Sequence, residues 1–211
     1  MKKAIICIIS FSAAAYTAWF MQFGSLTANS GALSKTGLRH PVLFAIWGIS
    51  AYAALLLNGI YIYSKGIKKF KSFFISLGAI AFVGMALTLI FKFDYDLRLQ
   101  YYLHCAGSLV FSVSAGTAIF FLFLINFKKN LFYAFLTVII GLILLSACIC
   151  LFIFKENALI EGLPVIFALI SMPCAIMHKR KNKEPLNAAY LFTKFKQNTF
   201  SYAGAQKKSK I

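Results

Sequence analysis

Leu131-Phe-Tyr-Ala-Phe-Leu-Thr-Val-Ile-Ile-Gly-Leu-Ile-Leu-Leu-Ser-Ala-Cys-Ile-Cys-Leu-Phe-Ile-Phe154 runs 24 residues without a charge, between Lys128-Lys129 and Lys155-Glu156. A helix needs ~20 apolar residues to cross ~30 Å of hydrocarbon, so this stretch has spanning length. Inside lipid every backbone amide must be paired within the protein, which leaves helices and closed barrels as the only spanning structures. Five further runs have the same character: Ala4 to Phe23, Pro41 to Tyr63, Phe73 to Phe91, Tyr101 to Phe127 and Leu159 to Met177. The expected fold class is all-α, a polytopic membrane protein built as a bundle of six transmembrane helices.

The basic residues alternate between the runs. Lys2, Lys3, Lys65, Lys68, Lys69, Lys71, Lys128, Lys129 and nine residues from Lys179 to Lys210 fall on one side, 17 of the chain's 22 Lys and Arg, with Glu184 as the one acid. Lys35, Arg39, Lys92, Arg98 and Lys155 fall on the other, beside Asp94, Asp96, Glu156 and Glu161. The positive-inside rule makes the first side cytoplasmic. The expectation is a multi-pass protein of the cell membrane with both termini in the cytoplasm. A soluble nucleic-acid binder can carry a net charge of +17, but a chain that is 61% hydrophobic has no polar surface for that role. The expected partners of the inner charge are anionic lipid headgroups, at ~1 kcal/mol per residue near the surface.

One domain, residues 1–178, holds the six helices, and Lys179-Arg180-Lys181-Asn182-Lys183-Glu184-Pro185 opens a basic cytoplasmic tail, residues 179–211. In the tail Leu186, Tyr190, Phe192, Phe195 and Phe200 interleave with Lys194 and Lys196, as in a helix lying on the inner leaflet or a basic disordered end. Lys2-Lys3, an apolar stretch and Ala13-Ala14-Ala15 also resemble a secretory signal peptide. The apolar run continues through Trp19, Phe20, Met21 and Phe23, which favours an uncleaved first helix. Cys7, Cys105, Cys148, Cys150 and Cys174 form no CxxC pair. Cys105 and Cys150 return to similar depth on the fourth and fifth helices, but free buried thiols are the preferred reading.

Ionisable residues gather at the outer ends of the helices. His40 opens the second helix, Asp94 and Asp96 follow the third, His104 lies one turn into the fourth and Glu161 opens the sixth. On the fourth helix His104, Ser108, Ser112 and Gly116 recur every four residues, which places them on one face, read as facing protein. Two readings of that stripe stand. In one, the small residues permit close helix packing and His104 sits at the water interface. In the other, His104 is held by Asp94, Asp96 or Glu161 and acts on a lipid headgroup or a proton. His178, at the inner end of the last helix, marks the opposite interface.

Few chemistries fit this inventory. HExxH is absent, and a zinc site would require His40, His104 and Asp96 to converge. There is no GxSxG, Walker loop, GxGxxG or CxxCH, and no cofactor is expected. A transmembrane haem would have His40 and His104 as its one same-depth pair.

The order of these features resembles a known family. An outer loop, Gly24 to Leu38, leads into Arg39-His40-Pro41-Val42-Leu43-Phe44. Leu77-Gly78-Ala79-Ile80-Ala81-Phe82-Val83-Gly84 then precedes an outer acid and Tyr102-Leu103-His104-Cys105-Ala106-Gly107-Ser108-Leu109-Val110-Phe111. Over residues 1–178 this resembles the bacterial six-helix membrane proteins of unknown function distantly related to the Frag and DRAM membrane proteins. Relatives of those include a Golgi factor that remodels GPI-anchor lipid and modulators of autophagy at lysosomal membranes. The resemblance points to His104 and Glu161 as site residues. The first outer loop lacks the acidic, Pro-rich sequence of the DRAM type. A looser likeness to seven-helix lipid hydrolases of the alkaline ceramidase type stops at the paired late histidines, which are absent here.

The expected function is therefore an integral membrane protein of lipid-binding or accessory type, acting on a lipid or a membrane-protein partner. A membrane-embedded enzyme of lipid headgroup chemistry is the alternative, with His104, Asp94, Asp96 and Glu161 as candidate catalytic residues. A small transporter is the third reading.

Overall fold

Residues 2–66 and 70–178 are described by a computed structural model. They form seven α-helices: α1 (Lys2–Phe20), α2 (Leu33–Arg39), α3 (Pro41–Gly66), α4 (Lys71–Ile90), α5 (Arg98–Asn126), α6 (Leu131–Phe154) and α7 (Ala158–Met177). All except α2 belong to segments long and apolar enough to cross a membrane: Lys2–Phe23, Pro41–Tyr63, Lys71–Ile90, Arg98–Asn126, Leu131–Phe154 and Ala158–Met177. These are the six runs expected from the sequence, with ends shifted by less than a helical turn. The helix α2 falls in what the sequence presents as a loop. The tail from Lys179 onward, with its expected surface helix, lies outside the described residues, as do Lys68 and Lys69.

Two of the helix starts carry their own caps. Asn130 Oδ1 accepts from Phe132 N at 3.0 Å before α6, and Asn157 Oδ1 accepts from Ile160 N at 2.9 Å before α7. Each amide oxygen pairs an N–H that the first helical turn leaves without a partner. Six alternating spans bring both ends of the domain to one end of the bundle. There His178 stacks on Phe132, ring centroids 4.4 Å apart, and its Nε2 lies 2.8 Å from Asn130 Nδ2. That end is called terminal here, and the opposite one distal.

Packing is uneven around the bundle. The helices α4 and α5 touch backbone to backbone: a Cβ added at Gly84 would lie 2.5 Å from Phe111 N, and one at Gly107 would lie 2.7 Å from Gly84 O. The inward face of α5 therefore runs through His104, Gly107, Phe111, Ser114 and Ala118, all buried. This corrects the expected stripe. Ser112 is exposed, and Ser108 is half-buried. Side chains four apart drift by ~40° per step around a helix of 3.6 residues per turn, so a long row of fours leaves any one neighbour. Gly116 is buried, but against Leu144 of α6.

The buried residues of α6, Ala134, Leu136, Thr137 and Ile140, all lie in its terminal half. Its distal half turns Leu145, Ile149, Phe152 and Ile153 outward, the surface that lipid covers in a membrane. Between α1 and α3 two buried polar ties add to the apolar contact: Asn58 Nδ2 donates to Ser10 Oγ, and Trp47 Nε1 donates to Thr17 Oγ1 at 3.2 Å. Such ties fix helix register where burial against lipid gives no preference. All five cysteines are free thiols, but of the burial expected for them only Cys7 shows it fully, and Cys148 is exposed.

Candidate functional site

The distal end is closed by a cap formed from residues 21–40. After a short 3-10 turn at Met21–Phe23 the chain passes through a second at Asn29–Gly31 into α2. Ala32 and Leu33 are buried, Leu33 in a cluster with Phe20, Met21, Phe44, Trp47 and Ala158. Gly37 lets α2 lie directly on α3: a Cβ there would meet the Phe44 ring at 2.7 Å. The sequence signal was faint, because seven residues with two cations do not read as a helix on their own.

Glu161, at the start of α7, latches this cap. Its Oε2 accepts from Leu33 N at 2.6 Å and Ser34 N at 3.3 Å, and its Oε1 accepts from Ser34 Oγ at 3.1 Å. The carboxylate thus supplies from another helix the cap that Ala32, preceding α2, cannot provide. Leu159 N adds a bond to Leu26 O at 3.2 Å.

His104 is 2% exposed and faces the interior, as expected, but it does not meet the expected carboxylates. Its Nδ1 lies 2.9 Å from the carbonyl oxygen of Phe91, the residue that ends α4. A carbonyl only accepts, so Nδ1 carries the proton and closes one of the orphan carbonyls of that helix end. In the neutral ring Nε2 then presents a bare lone pair, buried and without a hydrogen-bond partner. The rings of Phe44 and Phe93 flank the imidazole, at centroid distances of 6.1 and 5.2 Å.

The remaining candidates serve local structure. Asp94 Oδ1 accepts from Asp96 N at 3.1 Å, a turn closed by its own side chain. Asp96 is exposed. His40 ends α2 through its backbone N–H to Thr36 O at 3.0 Å and rests its ring on Phe23. Among the described residues no three His, Cys, Asp or Glu side chains come together to hold a metal ion, so the convergence of His40, His104 and Asp96 that a zinc site would need is not found.

A feature the candidate list missed lies beside the cap. Asn29, Ser30, Lys35, Leu38, Arg39 and Tyr95 line an open groove of about 440 Å³. Lys35 and Arg39, four apart on α2, share one face of that helix. Lys35 donates to Asn29 Oδ1, and its ammonium sits 5.9 Å from the Phe93 centroid and 5.7 Å from that of Tyr95. Glu156, half-buried in the turn before α7, also feels Lys35. Burial pushes the Glu156 carboxyl above its usual range, and Lys35 opposes that rise. The Lys35–Arg39 spacing was readable from the sequence, but the groove depends on α2 meeting the α4–α5 turn.

Comparison of the chain with protein-family models, curated proteins and solved structures found no match.

Proposed function

We propose that the protein is an integral membrane protein of lipid-binding or accessory type that engages a membrane lipid, or a membrane partner, at the distal end of its bundle. The observation that carries this reading is the groove of Lys35 and Arg39, walled also by Leu38 and Tyr95, at the distal end of the spanning helices. Sites that recognise a lipid at the interface combine a charged spot for the headgroup with apolar surface for the chains. The charge asymmetry supports cytoplasmic termini, an orientation in which the groove faces outward from a cell membrane. The likeness to the Frag and DRAM-related proteins belongs to the same proposal.

A second reading, an enzyme of lipid headgroup chemistry, has one observation in its favour: the buried, unpartnered Nε2 of His104. A base needs a substrate proton within reach and a group that orients it. Here the orienting group is the Phe91 carbonyl. Glu161 is engaged in latching the cap and Asp94 in closing its own turn, which leaves the second reading without a carboxylate partner.

Lipid mass spectrometry of the purified protein separates the two. Enrichment of a lipid class over the surrounding membrane is expected. A lipid complement identical to the bulk membrane, together with turnover that is lost in His104→Ala, would replace the first reading by the second.

A further inference from the structure

We propose that the groove beside α2 binds the phosphate group of an anionic phospholipid, with Lys35 and Arg39 holding the phosphate oxygens and the apolar rim of the distal end taking the acyl chains. The inference rests on the lipid-binding reading above and names its ligand class and residues.

Size, charge and position each contribute. At about 440 Å³ the groove falls within the ~300–1,000 Å³ typical of small-molecule sites. Arg39 is exposed and has no carboxylate partner among the described residues, so its planar fork is free to pair two phosphate oxygens. Lys35 is held in place by Asn29 and by two ring faces, which orient an ammonium without neutralising it. Glu156 is the carboxylate that faces Lys35, and its burial weakens its hold on the negative charge. Ser30 and Asn29 add hydroxyl and amide groups to the wall.

Position selects a lipid over a free phosphate. Tyr95 of the groove wall packs on Tyr101 of α5, ring centroids 4.8 Å apart, and the distal end also exposes Leu97, Leu99 and Tyr102 around the start of α5 and Val42 at the start of α3. Tyrosines and aliphatic side chains at helix ends mark the level of the headgroups. A phosphate in the groove would therefore have its own acyl chains beside apolar surface, whereas an inorganic phosphate gains only the charge contacts.

The test uses the full chain in mild detergent, titrated with phosphatidylglycerol or phosphatidylcholine and read by native mass spectrometry. The basic residues of the terminal end also attract anionic lipid, so the reading is the difference between variants. Lys35→Gln with Arg39→Gln is expected to weaken the tightest phosphatidylglycerol binding about tenfold or more, the effect of losing charge-assisted contacts. Lys92→Gln with Arg98→Gln removes the same charge from the same end, outside the groove, and is expected to leave it unchanged. Arg39→Gln alone, at an exposed position, gives the same direction should the double variant fold poorly. Unchanged binding in Arg39→Gln and the double variant would overturn the groove while leaving lipid binding in place. Equal affinity of the unaltered protein for both lipids would overturn both. Displacement of phosphatidylglycerol by inorganic phosphate at equal concentration would overturn the choice of a lipid as the source.

Discussion

Glu161 lies 127 residues beyond Ser34, yet it pairs two amides and a hydroxyl of the cap. Glu161→Ala should lower thermal stability by about 1–3 kcal/mol, the cost of leaving buried donors unpaired, and Glu161→Gln should recover part of it. A catalytic role without this structural one would leave the melting temperature unchanged in both. Glu156 makes a pH prediction with a definite sign. Its folded pKa is raised by burial, so the folded state holds the proton at pH values where the unfolded chain has lost it. Stability is therefore lost as pH rises from the ordinary glutamate range through the folded pKa. Glu156→Gln should be more stable than the unaltered protein at neutral pH, and the difference should vanish in acid. Thermal melts of both proteins across pH check this, and a parallel pair of curves would contradict it. Lys155 has φ 62 and ψ −162, a conformation nearly confined to glycine, so Lys155→Gly should raise stability by ~1 kcal/mol or more in the same assay. At this scale the sequence located the candidates and misassigned their partners. Residue type and depth are local properties, whereas the bonds of His104 and Glu161 are made by distant backbone, which no side-chain inventory reveals.

Among the elements, the α4–α5 pair depends on two glycines, and it corrects the expectation attached to the row of serines. Gly84→Ala or Gly107→Ala places a methyl group against backbone, which cannot yield as a side chain can, and should cost roughly 1–3 kcal/mol or more. Ser112→Leu, which the row of fours marks as disruptive, should be nearly neutral because Ser112 is exposed on the membrane-facing surface. Melting temperatures of the three variants in one detergent decide the matter, and the reverse order would show that the row of fours is the packing face. The spanning elements themselves were legible because length and apolarity are written into consecutive residues. The face of each was not, since six helices of nearly uniform apolarity have little periodic contrast to orient them. The cap helix α2 was invisible for a different reason: its stability comes from Glu161, Phe44 and the Leu33 cluster.

For the molecule as a whole, the proposed topology puts the capped, groove-bearing end and the terminal end on opposite sides of a membrane, with the terminal end in the cytoplasm. The charge asymmetry that supports this proposed orientation is present in the sequence. Ser34, at first sight a natural probe of the outer loop, is buried and bonded to Glu161, so its protection from a reagent would report packing and not sidedness. Thr27 in the cap and Ser72 at the terminal end of α4 are both exposed. The most direct measurement is the labelling of Thr27→Cys and Ser72→Cys in intact cells with a membrane-impermeant maleimide. The cysteine at position 27 is expected to be modified in intact cells and the one at position 72 only after permeabilisation. Labelling of position 72 in intact cells, with position 27 protected, would contradict the proposed topology.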